Sequence, residues 1–336
     1  MESVFMDEGQ NIYIGGLSKE DLKEYRDFLE NYKIPYRDTL GDQGNTFGVE
    51  VEFEGVDINE VEAVLDEKVS WKVVEEADFE KGGEVVSPTL VDHIINWKDL
   101  KETCNILNHC RNITTSERAG AHVHVGAQGL KDFDNLLKLI LLYVDYEDVL
   151  YRFGYMDRLN PRESIISCAH PLSIELARDY EEIKQCESVK AINRRYDRFH
   201  GINFNNLHSL SRRKEKNTIE FRFGNGTTDP ILWQNYINLC LKMIKASNKD
   251  LDVEKLEKEL DIIKFNRSNY YGLGRYDLPK AVEFADLIFD NALDKTNFLK
   301  QYIKNNEPTQ EYVESKYVGK FTRWLYDEYR GKNKTK

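Results

Sequence analysis

The chain has 336 residues, enough for one large domain or two smaller ones, and 40% hydrophobic residues with only seven prolines mark it as a folded protein. A formal charge of -12 argues against a general binder of nucleic acid or anionic membrane, because a broad phosphate footprint needs clustered Lys and Arg. Five cysteines without a CxxC pair (Cys104, Cys110, Cys168, Cys186, Cys240) indicate neither a disulfide framework nor a thiolate zinc site.

The N-terminal stretch MESVFMDEGQ has neither a basic start nor an apolar core, so no ordinary secretory signal is expected and the cytoplasm is the default compartment. Residues 18–30 read as a helix capped by Ser18. Further helices are expected at 58–66, 90–108, 130–153, 173–191, 230–247, 279–292 and 309–331, and short strands at 47–54, 70–74, 83–87, 120–126, 201–206 and 217–223. The longest apolar run, LLKLILLYV at 136–144, is short and interrupted by Lys138, which argues against a transmembrane span. Strands concentrated between 47 and 223, followed by an almost wholly helical remainder, imply an α+β fold with a helical C-terminal layer.

The strands share an unusual facing pattern. In TFGVEVEFEG (46–55), Glu50, Glu52 and Glu54 alternate with Val49, Val51 and Phe53, so three carboxylates occupy one face. An edge strand bathed in water would explain this segment taken alone. In AGAHVHVG, His122 and His124 share a face opposite Ala121, Val123 and Val125; in GINFNN, Asn203 and Asn205 oppose Ile202 and Phe204; in TIEFRFG, Thr218, Glu220 and Arg222 oppose Ile219, Phe221 and Phe223. Taken singly, the His-x-His pair is also met in core histidines and cupin-like barrels, and Glu220 with Arg222 would serve as a cross-strand ion pair. GGEVVSP (82–88) reads equally as a glycine bend entering a strand, with Glu84 solvated. Together they describe a sheet face of Glu, His, Asn and Arg. Carboxylates that close need a cation, and oxygen-rich ligation with an occasional imidazole suits magnesium or manganese better than structural zinc.

The series FGVEVEFE, GGEVVSPTL, AGAHVHVG and NTIEFRFGNGTTDP, in this order, resembles the amidoligase family, relatives of glutamine synthetase and glutamate-cysteine ligase. The likeness runs from residue 46 to 247 and divides the chain into an N-terminal extension (1–45), a catalytic domain (46–247) and a helical C-terminal region (248–336). It implies a glutamine synthetase-like bent, mainly antiparallel sheet with helices behind it, and an ATP-dependent carboxylate-amine ligase working through an acyl phosphate on an amino acid, a peptide or a protein side chain. By the same resemblance Glu50, His122 and Glu220 would hold the metal nearest the nucleotide phosphates, and Glu52 and Glu84 a metal nearer the acceptor. His124 and Arg222 would contact the transferring phosphate, and Asn203 substrate or phosphate. Two or more Mg2+ or Mn2+ ions are implied, and neither nucleic acid nor membrane is a partner. Relatives carry an Asp before the Glu84 position, for which Asp78 is the available substitute, and Glu54 or Glu76 would supply a further carboxylate.

No GxxxxGK[ST] motif occurs, which sets aside a P-loop nucleotide site. Arg158, Arg162, Arg194, Arg195 and Arg198 lie in polar segments that could clamp a substrate carboxylate. Competing readings are a metal-dependent hydrolase or oxygenase that uses no nucleotide, a catalytically inactive binding protein of the same fold, and a guanidino kinase of the same architecture.

Overall fold

The computed structural model describes residues 27–42, 44–65, 70–115, 118–186, 188–208, 217–265 and 274–304. The first half alternates β1 (Thr46–Glu54), α1 (Ile58–Leu65), β2 (Lys72–Glu75), β3 (Gly82–Val86), β4 (Leu90–Val91), α2 (Ile94–His109) and β5 (Gly120–Gly126). Helices α3 (Phe133–Asp145), α4 (Glu147–Gly154), α5 (Ile165–Cys168), α6 (Ser173–Cys186) and α7 (Val189–Arg195) lead to β6 (Ile202–Asn203) and β7 (Thr218–Asn225). After β7 the described residues form only helices: α8 (Pro230–Ala246), α9 (Val253–Phe265), α10 (Leu278–Ile288) and α11 (Ala292–Ile303). No described helix is long and apolar enough to cross a membrane.

The strands form one sheet in the order β2-β3-β1-β5-β7-β6, with β4 also pairing β1, and every pairing between these strands is antiparallel. The fold is therefore α+β, as the strand and helix distribution implies. Strict period-2 alternation makes the sheet two-sided. Val49, Val51 and Phe53 of β1, Ala121, Val123 and Val125 of β5, and Ile219 and Phe221 of β7 are all at most 1% exposed. Against this apolar side pack α8, which contacts β5, and α4, which contacts β7. Asp229 caps α8 by accepting from the Ile231 N–H at 2.8 Å, and Pro230 opens its first turn with a ring that needs no donor there. Phe223 is enclosed by the rings of Tyr143, Tyr151 and Tyr236, which joins β7 to α3, α4 and α8.

Several expected elements are shortened or divided. The helix expected at 90–108 begins only at Ile94, because Leu90 and Val91 pair with Phe47 and Thr46. The next residue, Asp92, accepts from the backbone N–H groups of Leu40 and Asp42 and from the Trp97 indole, which holds this corner extended. The single helix expected over 130–153 breaks at Tyr146 (φ -104°, ψ 19°), where Lys280 bonds Asp145 and lies over the Tyr146 ring. The helix expected over 173–191 is α6 and α7, and that expected at 279–292 is α10, followed at once by α11. The expected strand 201–206 stops after Asn203, whose side-chain oxygen accepts from the Asn205 N–H at 2.9 Å and turns the chain, so Asn205 does not share the sheet face. Of the helix expected at 18–30, residues 27–31 are helical and Ser18 lies outside the described residues, as does the expected helix 309–331.

Residues on both flanks of the sheet region lie against α8. The Arg37 N–H donates to Gln234, Arg37 pairs with the buried Asp294 at 2.8 Å, and Asn238 of α8 also donates to Asp294 at 2.9 Å. Phe223→Ala, which empties the ring cluster behind the sheet, is expected to lower the unfolding free energy by about 3–5 kcal/mol in urea titrations, the range for large-to-small changes in packed cores.

Candidate active site

Strand register builds the site. In an antiparallel sheet directly opposed residues share a face. Glu84 of β3 stands opposite Glu52 of β1, Glu50 of β1 opposite His122 of β5, His124 of β5 opposite Glu220 of β7, and Glu220 opposite Asn203 of β6. Seven of the eight residues singled out above thus form a band across five strands. Arg222, the eighth, joins them through a hydrogen-bonded ion pair between its Nη1 and Glu220 Oε1.

The contacts within the band are close. His124 Nε2 lies 2.9 Å from Glu50 Oε1 and 3.9 Å from Glu220 Oε1, and His122 Nδ1 lies 3.1 Å from Glu50 Oε2 and 3.7 Å from Glu220 Oε1. Asn203 donates to the other Glu220 oxygen at 2.6 Å. Arg222 also donates through Nε to the Cys168 carbonyl at 3.2 Å, so its guanidinium is fixed from two sides. Glu52 accepts from the Gly120 N–H.

Electrostatics divides the carboxylates. Burial pushes the Glu50 carboxyl up, but hydrogen bonds from His122 and His124 outweigh it and hold Glu50 far below the usual range. Burial likewise acts on Glu220, where the charges of Arg222, His124 and His122 prevail and keep it ionised. His124 is pushed down by burial and raised further by its bond to Glu50 and the charge of Glu220. Glu84 has no such cation: burial, then the charges of Glu50, Glu52, Glu76 and Glu220, push it up to about 8.

Among the described residues, two donor groups on the sheet have ligand atoms close enough to share an ion, Glu50–Glu84–His122 and Glu50–His124–Glu220. The residues fit a divalent cation on two observations. His122 Nε2 is buried with no hydrogen-bond partner although Glu52 Oε1 is 3.3 Å away, and Glu84 faces Glu52 with nothing positive between them. His124, which the resemblance gives to phosphate, lies within one of these donor groups. Of the other carboxylates considered, Glu54 lies 3.8 Å from Arg118, and the Asp78 backbone carbonyl accepts from the same arginine.

A cavity of about 690 Å³ opens at the Glu50–His124 end of the band. Its walls include Gly48, Ser87, Thr89, Gln128, Asn217 and Thr218, and among the described residues Glu50 and His124 are its only ionisable lining groups. The arginines lie toward the other end. Arg162, 1% exposed, donates to the Gly224 and Arg222 carbonyls and accounts for the glycine at 120, where a Cβ would sit 2.6 Å from its Nη1 and 2.9 Å from His122 Nε2. Arg158 bonds the Thr115 carbonyl, Arg195 pairs with Glu182, and Arg198 lies over Phe199. Arg162 is the clamp candidate that the fold sets against the band.

Residues 65–244, more than half of the chain, match a family described as "putative amidoligase enzyme". The chain belongs to this amidoligase family. The match includes β3, β5, β6 and β7 and begins after β1, so Glu84, both histidines, Asn203, Glu220 and Arg222 fall within it while Glu50 and Glu52 precede it. No curated protein matches the amidoligase chain.

With its pKa raised, Glu84 makes stability depend on pH with a definite sign. Below pH about 4.5 it is protonated whether folded or not; between there and pH 8 only the unfolded chain ionises, so stability falls as pH rises. Urea unfolding of chelator-treated protein should show this fall, Glu84→Gln should flatten it, and Mg2+ or Mn2+ should remove it by favouring the ionised carboxylate.

Proposed function

We propose that this amidoligase is an ATP-dependent carboxylate-amine ligase that activates its acid as an acyl phosphate. The observation that carries the reading is the order of chemistry along one sheet face: a cavity whose described lining is uncharged apart from Glu50 and His124, then carboxylates with imidazoles, then a fixed arginine. A nucleoside is neutral and aromatic, and 690 Å³ is within the ordinary range for a pocket that encloses such a ligand. A triphosphate leaving that cavity runs next over the donor band, and its terminal phosphoryl group comes toward Arg222. The same reading extends to the sheet, which we take to be the bent, glutamine synthetase-like kind, with nucleotide and substrates meeting on its concave face.

Joining a carboxylate to an amine in water is uphill because oxide is a poor leaving group. Transfer of the γ-phosphoryl group to the carboxylate oxygen forms a C–O–P linkage and releases ADP. Attack by the amine nitrogen on the acyl carbon then expels phosphate, and the nitrogen gives up a proton to complete the amide. Glu50, Glu52, Glu84, His122, His124 and Glu220 would hold Mg2+ or Mn2+, which when bound offset charge on the phosphate oxygens.

The chain's own groups do the rest. Glu220 holds the Arg222 guanidinium beside the band, and Arg222 offsets charge on the phosphoryl group in flight. Asn203 fixes the second Glu220 oxygen, so that carboxylate keeps one orientation. His124, tied to Glu50 through Nε2, presents Nδ1 toward the Thr218 hydroxyl at 3.3 Å at the cavity wall. The acid and amine are an amino acid, a peptide or a protein side chain. A hydrolase or oxygenase would use the metal donors but has no need of a 690 Å³, mostly uncharged cavity beside them.

Purified protein with ATP, Mg2+ and a panel of amino acids and peptides should release ADP and phosphate only when a competent acid and amine are present. Arg222→Ala should lower that rate by roughly 10³-fold or more, and Glu220→Gln by a comparable factor, with circular dichroism unchanged. Full activity in either variant would reject the roles of Glu220 and Arg222. Gly48 stands opposite His124 and a Cβ there makes only ordinary contacts, 3.5 Å to Ser87 Oγ, so Gly48→Val should fold. It fills the cavity mouth, and the KM for ATP should rise about tenfold or more while kcat at saturating nucleotide changes less.

A further inference from the structure

We propose that His170, Glu175 and His200 form a second metal site, selective for a transition ion of the zinc class, that shares no residue with the band on the sheet. The proposal goes beyond the ligase reading and does not depend on it. Ligand atoms of the three side chains all lie within 4.8 Å of one another.

Backbone pairing brings the two histidines together. The His170 N–H donates to the Phe199 carbonyl at 2.8 Å and the Gly201 N–H to the His170 carbonyl at 2.9 Å, a parallel bridge that sets the ring centroids 4.1 Å apart. Glu175 projects from the first turn of α6 toward the same spot, with Oε2 3.1 Å from His200 Nε2.

The tautomer decides what that short contact means. His200 Nδ1 lies 3.1 Å from the Asp197 carbonyl and 3.3 Å from Asp197 Oδ1, both acceptors, so Nδ1 carries the hydrogen. In the neutral ring Nε2 then offers a lone pair, and that lone pair faces a carboxylate oxygen at hydrogen-bond distance. Two acceptors stay so close only with a cation between them. A proton on His200 would serve that contact as well, but it bridges only His200 and Glu175, whereas His170 Nε2 faces the same acidic pair, 3.9 Å from Asp197 Oδ1 with its ring centroid 4.1 Å from that of His200. One divalent ion would engage both imidazoles and Glu175 at once, their ligand atoms all lying within 4.8 Å of one another. Two histidines and a glutamate are a donor set that zinc takes readily, and a backbone carbonyl or carboxylate on the far ring nitrogen is the device that orients such a ligand. Asp197 plays that orienting part.

The position gives the site a structural consequence. The Arg222 N–H donates to the Gly201 carbonyl at 2.8 Å and Arg222 Nε to the Cys168 carbonyl, so the two segments an ion would tie together are those that place Arg222.

Chelator-treated full-length protein, titrated with zinc against a chromogenic indicator in excess Mg2+, should bind one equivalent that Glu50→Gln and His124→Ala retain. His170→Gln and Glu175→Gln should lose that equivalent or bind it at least 100-fold more weakly, and Asp197→Asn should weaken it by about 10–100-fold. Cobalt in place of zinc should give visible ligand-field bands that vanish in His170→Gln. Should the histidine variant fail to fold, Glu175→Gln, on a more exposed side chain, decides the matter. Zinc binding of unchanged stoichiometry and affinity in His170→Gln and Glu175→Gln overturns the proposal. So does a protein whose zinc is lost entirely with Glu50→Gln, since the ion would then belong to the sheet.

Discussion

Like charge crowded onto one side of a sheet is the constraint from which the arrangement follows. Glu52 and Glu84 are directly opposed and Glu50 is two residue pairs along the ladder on the same face, a placement that costs free energy in an isolated sheet. The chain answers it unevenly. Imidazoles and a guanidinium neutralise Glu50 and Glu220, whereas Glu84 holds its proton to about pH 8. An acidic surface so prepared would suit the divalent ions and anionic substrate of the proposed reaction.

The opposite face supplies the stiffness that such crowding needs. A row of side chains with almost no exposure lies under the acidic band, and α4 and α8 clamp it against aromatic rings. Carboxylates that repel one another would separate on a flexible loop. Here their Cβ atoms are fixed by ladder hydrogen bonds and by a core that cannot yield without opening voids.

Much of this is legible in the chain. Alternation alone assigns Glu50, Glu52, His122, His124, Glu220 and Arg222 to polar faces, because period 2 leaves only two choices and the apolar residues take one. Register is not legible, since nothing local to VEVEFE states that Glu52 will meet Glu84 rather than Val86. Helix breaks escape for a similar reason: the stretch around Tyr146 has helical periodicity, and the interruption coincides with contacts from Lys280, more than a hundred residues away. The face expected for Asn205 fails because an Asx turn at Asn203 ends the strand early. The His170–Glu175–His200 cluster leaves only a faint trace in the sequence, two histidines thirty residues apart, each followed or preceded within five residues by an acid. Its donors come from a loop, a helix start and a turn, where no periodicity links them.

Between Ala121 and Val123 the pairing of β5 with β7 slips, so that Arg222 and Phe223 together stand opposite His122. That surplus residue lets Arg222 stay on the face that alternation shares with Glu220 while Gly224, two residues on, pairs with Ala121 of the apolar side. In evolutionary terms the bulge is a length lock. A single-codon deletion here would restore an unbroken ladder and keep the flanking pairs, but only by giving up Arg222 beside Glu220 or Phe223 from the ring cluster behind the sheet. The length of β7 is therefore set from both faces of the sheet at once.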